Sequence, residues 1–319
     1  MIIPVKENKL EELEMRKVFC NTMIELAEKD EKVVLMDADL MAAMGTKPFA
    51  VKFPERTINC GVQEANMAGV AAGLAVEGFI PYMHTFAPFS TRRALDQIWL
   101  SCAYAKTNVK IIGSDPGVTA ALNGGTHMSF EDLGIMRMVP GATVIEPTDS
   151  VMLADVVRQS KDLPGIFYFR LLRKNAIKVY EDGSKFKIGK AVKLRDGNDI
   201  SLIANGICVY EALRAHDMLK QKGISASVID MFTLKPFDAE TVEEEAKRTG
   251  IILTCENHNY LSGLGSAVAE VIAERAPAKL GRVGIKEEFG EVGPVEYLKE
   301  RFGLRGEDIA AAALKLLGK

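Results

Sequence analysis

The sequence lacks the marks of several protein classes. Its five cysteines stand far apart and form neither a CxxC pair nor a Cys/His cluster, which argues against a zinc site and a disulfide scaffold. They are Cys20, Cys60, Cys102, Cys208 and Cys255. No apolar run approaches the ~18 residues of a membrane span, and residues 1–17 hold no apolar core of signal-peptide length. We therefore expect a cytoplasmic protein that has no membrane contact and no metal site of its own.

The chain also has no excess of basic charge. Its formal net charge is -3, which gives no basic surface of the kind that binds nucleic acid. Hydrophobic residues make up 48% of the chain and charged residues 26%, an ordinary globular composition. A length of 319 residues is enough for two domains, each with a hydrophobic core.

Short apolar runs alternate with helical patterns, which is typical of a parallel sheet covered by helices on both faces. In the first half we predict strands at 33–36, 56–60, 81–86, 109–112, 143–145 and 166–169, and helices at 10–29, 64–77, 91–105, 131–138 and 150–160. A polar stretch at 174–190 predicts a linker. After it, strands at 200–204, 225–229 and 251–254 alternate with helices at 209–221, 239–249 and 264–275. The sequence thus predicts an α/β fold, with a doubly wound parallel-sheet domain over residues 1–180 and a smaller α/β domain over residues 190–319.

The most informative segment is residues 61–75, in which Glu64 opens a helix made almost wholly of small residues. Small side chains allow another backbone or a flat ligand to approach closely, so Glu64 is a candidate acid or base in a crowded interface. A glutamate in a first helical turn is also favoured by the helix dipole alone, which leaves a purely structural role open.

Two further loops follow predicted strands of the same domain. Phe86 and Phe89 come at the carboxyl end of one strand, where parallel sheets bind ligands and a ring can stack on a flat heterocycle. A place in the core is the alternative for both rings. The glycine-rich loop at 114–127 follows the next strand and ends in His127, which suits a site that closes over a substrate, although loop histidines are often solvated.

Together these motifs resemble the C-terminal half of transketolases, over nearly the whole chain. In chain order, the motifs are Met-Arg-Lys at 15–17, Gly-Val-Gln-Glu at 61–64, Phe86 and Phe89, Gly-Gly-Thr-His at 124–127, Glu-Pro-Thr-Asp at 146–149 and Phe-Gly-Glu-Val-Gly at 289–293. In that family this half comprises the pyrimidine-binding domain of a thiamine diphosphate enzyme and a C-terminal domain.

The resemblance implies a role for each matched residue near the cofactor. Glu64 matches the carboxylate that hydrogen-bonds the pyrimidine ring of the cofactor and favours its imino form. Phe89 matches the ring that stacks on that pyrimidine, with Phe86 beside it, and Asp39 matches an acidic position near the cofactor. His127 matches a histidine that faces the reacting carbons of the sugar, where it would hydrogen-bond or transfer a proton.

The resemblance also implies contacts with the substrate. Arg170, with Arg173 nearby and Arg16 as a further candidate, matches recognition of a sugar phosphate, for which a guanidinium fork is well suited. Two positions of the substrate loop depart from the family: Asp115 replaces a histidine that contacts the substrate, and Asn123 replaces an acidic residue. Because a carboxylate repels a phosphate, we expect a specialised ketose rather than the ordinary pentose phosphates.

The chain has no Gly-Asp-Gly motif ending in Asn, through which the family holds the diphosphate and its divalent metal. The nearest sequence, Arg-Asp-Gly-Asn at 195–198, has no leading glycine. The resemblance therefore implies a split enzyme, in which an N-terminal transketolase subunit carries the diphosphate and Mg²⁺ or Ca²⁺. Active sites would form between chains, with self-association to an α2β2 assembly. The expected reaction moves a two-carbon ketol unit from a ketose, phosphorylated or otherwise anionic, to an aldose.

Two other functions stay open. Ala-Leu-Asp-Gln-Ile at 94–98 resembles the β subunit of a 2-oxoacid dehydrogenase E1 component, which would need a lipoyl partner and a 2-oxoacid substrate. A non-catalytic regulatory partner of the same fold is the other alternative. The joint presence of Glu64, Phe89 and His127 argues against it. Glu-Asn-His at 256–258 also belongs to the resemblance, but the sequence assigns it no chemistry.

Overall fold

The computed structural model describes residues 2–319, which form two α/β units, each built on one β-sheet. The strands are β1 (Val33–Asp37), β2 (Thr57–Asn59), β3 (Ile80–Phe86), β4 (Lys110–Ser114), β5 (Thr143–Ile145), β6 (Phe167–Leu171), β7 (Val192–Arg195), β8 (Ile200–Ala204), β9 (Ala226–Asp230), β10 (Thr233–Lys235), β11 (Ile251–Asn259) and β12 (Lys279–Ile285).

Helices alternate with these strands. They are α1 (Met15–Lys29), α2 (Met41–Met44), α3 (Lys47–Lys52), α4 (Glu64–Val76), α5 (Ala87–Ser90), α6 (Leu95–Gln97), α7 (Asp132–Met138), α8 (Ser150–Asp162), α9 (Cys208–Gln221), α10 (Ala239–Thr249), α11 (Leu264–Glu274), α12 (Val295–Arg301) and α13 (Gly306–Leu317). Two 3₁₀ segments (Pro54–Arg56 and Gly117–Asn123) and one π-helix (Ile98–Tyr104) complete the set.

The first sheet has the strand order β10-β5-β6-β4-β3-β1-β2, and the second has the order β12-β11-β8-β9-β7. The pairs are parallel except β10 with β5 and β7 with β9. Every residue of the central strands β1, β4, β6, β8 and β9 is buried, as expected when helices cover both faces of a sheet. The predicted fold class, a parallel-sheet α/β domain followed by a second α/β domain, is confirmed.

The strands that the sequence patterns miss all lie at sheet edges. β7 and β12 flank the second sheet, and β10 flanks the first. Edge strands are short or partly exposed, so their residues do not form the continuous apolar run that marks a central strand.

Two predicted helices have different bounds in the structure. The helix expected at 91–105 is broken: α5 ends at Ser90, Thr91 leaves the helical region with φ -119° and ψ -84°, and the chain resumes as α6 and the π-helix. The helix expected at 10–29 begins at Met15, because Leu10 instead forms a bridge with Ile177.

The predicted linker at 174–190 contains no helix or extended strand, but several of its side chains are buried. Four of its apolar side chains are buried, namely Ala176, Val179, Tyr180 and Phe186. The Tyr180 hydroxyl also donates to the Asp230 carboxylate at 2.6 Å, which connects this segment to the second sheet. Glu181, Asp182 and Lys185 are exposed between these anchors and give the segment its linker-like composition, whereas Ser184 is buried.

Strand β10 joins the two units directly. It follows β9 of the second sheet along the chain, yet it pairs antiparallel with β5 of the first. The Glu146 N–H extends this contact by donating to the Phe232 carbonyl at 2.8 Å. Within residues 2–319, no helix combines the length and the apolar character that crossing a membrane requires.

Candidate active site

Three loops that carry predicted site residues leave the same edge of the first sheet. β1, β3 and β4 are parallel neighbours, and Phe86 at the end of β3 lies opposite Ser114 at the end of β4. Their carboxyl ends lead directly into Asp39, Phe86 and Asp115. This is the edge at which open parallel sheets bind ligands.

Glu64 is the first residue of α4, and only 2% of it is exposed. Arg93 Nη1 donates to both carboxylate oxygens, at 3.1 Å and 3.0 Å, and the Thr85 hydroxyl donates to Oε1 at 3.4 Å. A groove of about 480 Å³ runs beside the carboxylate and is lined by residues 62–66 and Arg93. Glu64 is therefore a buried acceptor that can be approached from one side.

Phe86, Phe89 and His127 form an aromatic cluster. The Phe86 and Phe89 ring centroids are 6.1 Å apart, and the His127 ring lies 5.3 Å from the first and 5.1 Å from the second, all in edge-to-face arrangements. The Arg93 guanidinium lies over Phe89, 4.0 Å from the ring centroid. The structure thus brings three predicted site residues together and places a planar cation on one of the rings.

An open cleft of about 800 Å³ adjoins this cluster. Its lining comes from both domains: Pro88, Phe89, Arg92, Arg93, Gly125 and Thr126 from the first, and Phe289 and Gly290 from the second. The loop before His127 packs tightly against the second domain, since a Cβ on Gly125 would overlap the Gly290 carbonyl. The two domains therefore shape the cleft jointly.

Asp115 and Arg173 form an ion pair next to the aromatic cluster. Arg173 Nε and Nη2 each lie 2.5 Å from Asp115 Oδ2, and the guanidinium lies 4.9 Å from the Phe86 ring centroid. Arg173 Nη1 donates to the Ala43 carbonyl at 3.1 Å, and Arg16 Nη1 donates to the same oxygen at 2.5 Å. Two guanidinium groups thus converge at one point, where Asp115 pairs with Arg173 and Glu14 pairs with Arg16 at 2.7 Å.

Arg170 does not belong to this site, and its predicted role in substrate recognition is corrected here. The side chain is completely buried behind the sheet edge and is paired with Asp132 at 2.8 Å and with Glu146 at 2.7 Å. It also donates to the Asn257 carbonyl at 2.8 Å. Burial disfavours the Asp132 carboxylate, but the charge and the hydrogen bonds of Arg170, together with the hydrogen bond from Tyr168, outweigh burial and lower the pKa of Asp132. Each nitrogen of the guanidinium is bonded to a protein group, and the bond to Asn257 places Arg170 at the junction between the domains.

Two other predicted residues lie at the surface. Asp39 is exposed at the end of β1, in the left-handed region with φ 64°, and its N–H donates to Asn59 Oδ1 at 3.0 Å. Asn123 is exposed at the end of the 3₁₀ segment of the substrate loop. Their predicted roles in binding cofactor and substrate stay predictions.

Sequence reasoning missed three polar residues of the site. Asp37 and His84 are buried on neighbouring strands, with His84 Nδ1 3.5 Å from the carboxylate and Nε2 3.0 Å from the Ser114 hydroxyl. Burial lowers the pKa of His84 despite this carboxylate. Arg93 is the third. A polar residue inside an apolar strand, such as His84, is the signal that could have identified the first pair.

The residues fit the pyrimidine half of thiamine diphosphate better than its diphosphate half. Glu64 offers a buried carboxylate and Phe89 a ring at the cleft, which are the groups that a flat, hydrogen-bonding heterocycle requires. Among residues 2–319, no group of three or more His, Cys, Asp or Glu side chains is placed to hold a metal ion.

Comparisons with known proteins point the same way. Residues 11–178 match the family described as transketolase, pyrimidine binding domain, and residues 189–309 match transketolase, C-terminal domain. The 6-deoxy-6-sulfo-D-fructose transketolase subunit SqwH of Clostridium sp. (strain MSTE9) is 50% identical, over 96% of this chain and 95% of that protein. An apulose-4-phosphate transketolase subunit of Phocaeicola vulgatus is 36% identical, over 95% of this chain and 97% of that protein.

A solved structure is similar over nearly the same span. It is described as a split gene transketolase, inactive beta4 tetramer, and it matches with a TM-score of 0.90 and 38% identity, over 96% of this chain and 99% of that one. These relatives have nearly the same length as the present chain.

Proposed function

The chain belongs to the transketolase family, and we propose that it is the C-terminal subunit of a split enzyme whose active site forms only with a partner subunit. The proposal is supported by the high coverage of the relatives that are named as transketolase subunits. The sequence has no Gly-Asp-Gly motif ending in Asn, which also supports the proposal, because a partner would then supply the diphosphate and metal site. The 2-oxoacid dehydrogenase alternative is not favoured by these relatives.

The single observation that carries the proposal is the meeting of Glu64, Phe89 and His127 at one sheet edge. Thiamine diphosphate, when bound, supplies the nucleophilic carbon for ketol transfer. Glu64 would accept a hydrogen bond from the pyrimidine ring, and Phe89 would hold the ring plane. His127, held edge-on against both phenyl rings, would hydrogen-bond the sugar hydroxyls or move their protons. We also propose an α2β2 assembly in the cytoplasm, with Mg²⁺ or Ca²⁺ held by the partner.

We further propose that the donor is an anionic ketose other than the ordinary pentose phosphates. Arg173 and Arg16 converge on the Ala43 carbonyl and offer a site for an anionic group. Asp115 pairs with Arg173 and Glu14 pairs with Arg16, which weakens attraction for a doubly charged phosphate more than for a singly charged sulfonate. The similarity to a subunit named for 6-deoxy-6-sulfo-D-fructose makes that sugar the first donor to test.

The test is a donor comparison with the complete enzyme. This chain is co-purified with its N-terminal partner, loaded with thiamine diphosphate and Mg²⁺, and assayed with 6-deoxy-6-sulfofructose and with xylulose 5-phosphate, each with an aldose acceptor. We expect a higher kcat/KM for the sulfonated donor. Full activity on xylulose 5-phosphate and ribose 5-phosphate would contradict the substrate assignment, and inactivity on every ketose would contradict the transketolase assignment itself.

A further inference from the structure

The second domain touches the substrate loop at a segment that the sequence left without a role. Strand β11 carries Glu256, Asn257 and His258, and it lies against the chain that joins Asp115 to His127. The Asn259 N–H donates to the Phe130 carbonyl at 2.8 Å, just beyond the end of this loop. The second domain is therefore in contact with the part of the first domain that bears two site residues.

Asn257 binds the beginning of the loop through its side chain. The Val118 N–H donates to Asn257 Oδ1 at 2.9 Å, and Asn257 Nδ2 donates to the Pro116 carbonyl at 3.1 Å. Asn257 is 1% exposed, so the Val118 N–H would lose its partner in a place away from water if the amide were removed, whereas the Pro116 carbonyl would keep the Thr119 hydroxyl at 2.6 Å. The side chain thus serves as the hydrogen-bond partner for a loop that has no neighbouring strand at this point.

The contact between the two segments is close enough to require glycine. Gly117 lies between the two hydrogen-bonded positions with φ +57°, and a Cβ there would overlap the amide of Asn257. Further along the loop, Ala121 has φ 49° and ψ -118°, a backbone conformation that persists only where its surroundings impose it. The loop is therefore held in a strained shape by contacts outside itself.

The neighbours of Asn257 are fixed in turn. Glu256 accepts the N–H groups of Leu264 and Gly265 at 2.7 Å and 2.8 Å, at the start of α11. Burial lowers the pKa of His258 to about 4, so its ring is neutral at pH 7. Its Nδ1 donates to the Asn259 carbonyl at 2.7 Å, which leaves Nε2 to accept the Gly134 N–H at 3.4 Å. Asn257 is thus presented to the loop from a rigid strand.

We propose that Asn257 is a positioning residue: it fixes residues 116–118 and, through them, the loop that carries Asp115 and His127. Asp115 directly precedes the carbonyl-bonded Pro116, and His127 closes the same loop. The second domain then sets the geometry of the substrate site without touching the substrate. The consequence for turnover rests on the proposed function, whereas the consequence for the order of the loop does not.

The test compares Asn257→Ala with Asn259→Ala in the reconstituted pair. Asn259 is a matched control, because it is the same residue type on the same strand and its side chain bonds to Glu287 and Leu261 rather than to the loop. Hydrogen exchange of peptides covering residues 114–130 is measured with kcat and KM. For Asn257→Ala we expect exchange at Val118 to rise at least tenfold and kcat to fall at least tenfold, with a smaller change in KM; the control should match wild type.

A second comparison separates positioning from general damage. Asn257→Asp keeps the acceptor for Val118 but places a carboxylate oxygen against the Pro116 carbonyl, so exchange at Val118 should stay closer to wild type than it does in Asn257→Ala. Gly117→Ala alone should lower kcat strongly, because its Cβ overlaps the amide of Asn257. In the Asn257→Ala background, where that amide is absent, the same change should lower kcat by less than a further factor of about ten.

Three results would overturn the proposal: unchanged exchange in residues 114–130, additive effects of Gly117→Ala and Asn257→Ala, or a loss of protection spread evenly over the whole chain. If the wild-type pair transferred no ketol unit, the proposed function would fail, but the exchange measurement would still decide whether Asn257 orders the loop.

Discussion

Arg93 binds the two side chains, Glu64 and Phe89, that the pyrimidine ring of the cofactor would use. Its guanidinium is planar, lies 4.0 Å from the centroid of Phe89 and donates to both oxygens of Glu64. A flat ring bound by the same phenyl face and the same carboxylate would have to displace it. We therefore predict that Arg93→Ala increases the affinity of the subunit pair for thiamine diphosphate.

The size of the increase follows from the contacts that Arg93 gives up. Its side chain is 48% exposed, so the pair with Glu64 contributes about 0.2–1 kcal/mol. A partly exposed cation over an aromatic ring adds about 0.5–1 kcal/mol. Together these terms amount to about 0.7–2 kcal/mol, which corresponds to roughly 3- to 30-fold in the dissociation constant.

The assay is a calorimetric titration of thiamine diphosphate into the pair at saturating Mg²⁺. Arg92→Ala is the matched control, because it removes the same charge from the same cleft but its partner is Glu131, at 2.7 Å. We expect the control to bind like wild type and Arg93→Ala to bind more tightly. Weaker binding by Arg93→Ala would show that the guanidinium supports the cofactor, and unchanged binding would show that the pyrimidine does not use the Glu64 and Phe89 pair; either result refutes the reasoning.

Three further predictions concern single residues. Glu64→Ala should abolish turnover by the pair while its unfolding midpoint stays near that of wild type, and undiminished turnover would remove Glu64 from the mechanism. Arg173→Ala should raise KM at least tenfold for an anionic ketose and much less for an uncharged one; equal changes for both donors would count against an anion site. Burial raises the pKa of Asp230 to about 7, so folding takes up a proton there and stability falls as pH rises from about 4 to about 7. Asp230→Asn should reduce the fall in the free energy of unfolding over this pH range, as measured by urea denaturation. An unchanged slope of that free energy against pH would contradict the raised pKa of Asp230.

The sequence predicted the central strands, and its motifs drew attention to residues that the structure places together. Continuous apolar runs mark a strand that is buried on both faces, and β1, β4 and β6 are such strands. Phe89 and His127 follow the adjacent strands β3 and β4, and Glu64 follows β2, which β1 separates from β3. Because these strands are parallel, their carboxyl ends bring the three loops to one edge of the sheet.

The burial of Arg170 and its ion pairs could not be predicted from sequence motifs. Its partners Asp132 and Glu146 are 38 and 24 residues away along the chain, and nothing local to Arg170 indicates that two carboxylates surround it. An arginine at the end of a strand has the same sequence signature whether it faces a ligand or a buried acidic pair. Burial decides between the two, and burial depends on how the second domain docks.

The contacts between the domains were the least predictable feature. β10 pairs with a strand of the other sheet, and its three residues are too few to show a period. Asn257 lies inside a buried strand, where a polar residue signals some constraint, but its partners are the backbone groups of a loop about 140 residues earlier in the chain. Backbone partners leave no trace in the sequence around them.

The most direct test of the account is to measure where thiamine diphosphate binds. The cofactor is titrated, with Mg²⁺ present, into this chain alone, into the N-terminal partner alone and into the reconstituted pair. If this chain provides only the pyrimidine half of a shared site, tight binding will occur with the pair and with neither chain alone. Binding by this chain alone with the affinity of the pair would contradict that claim.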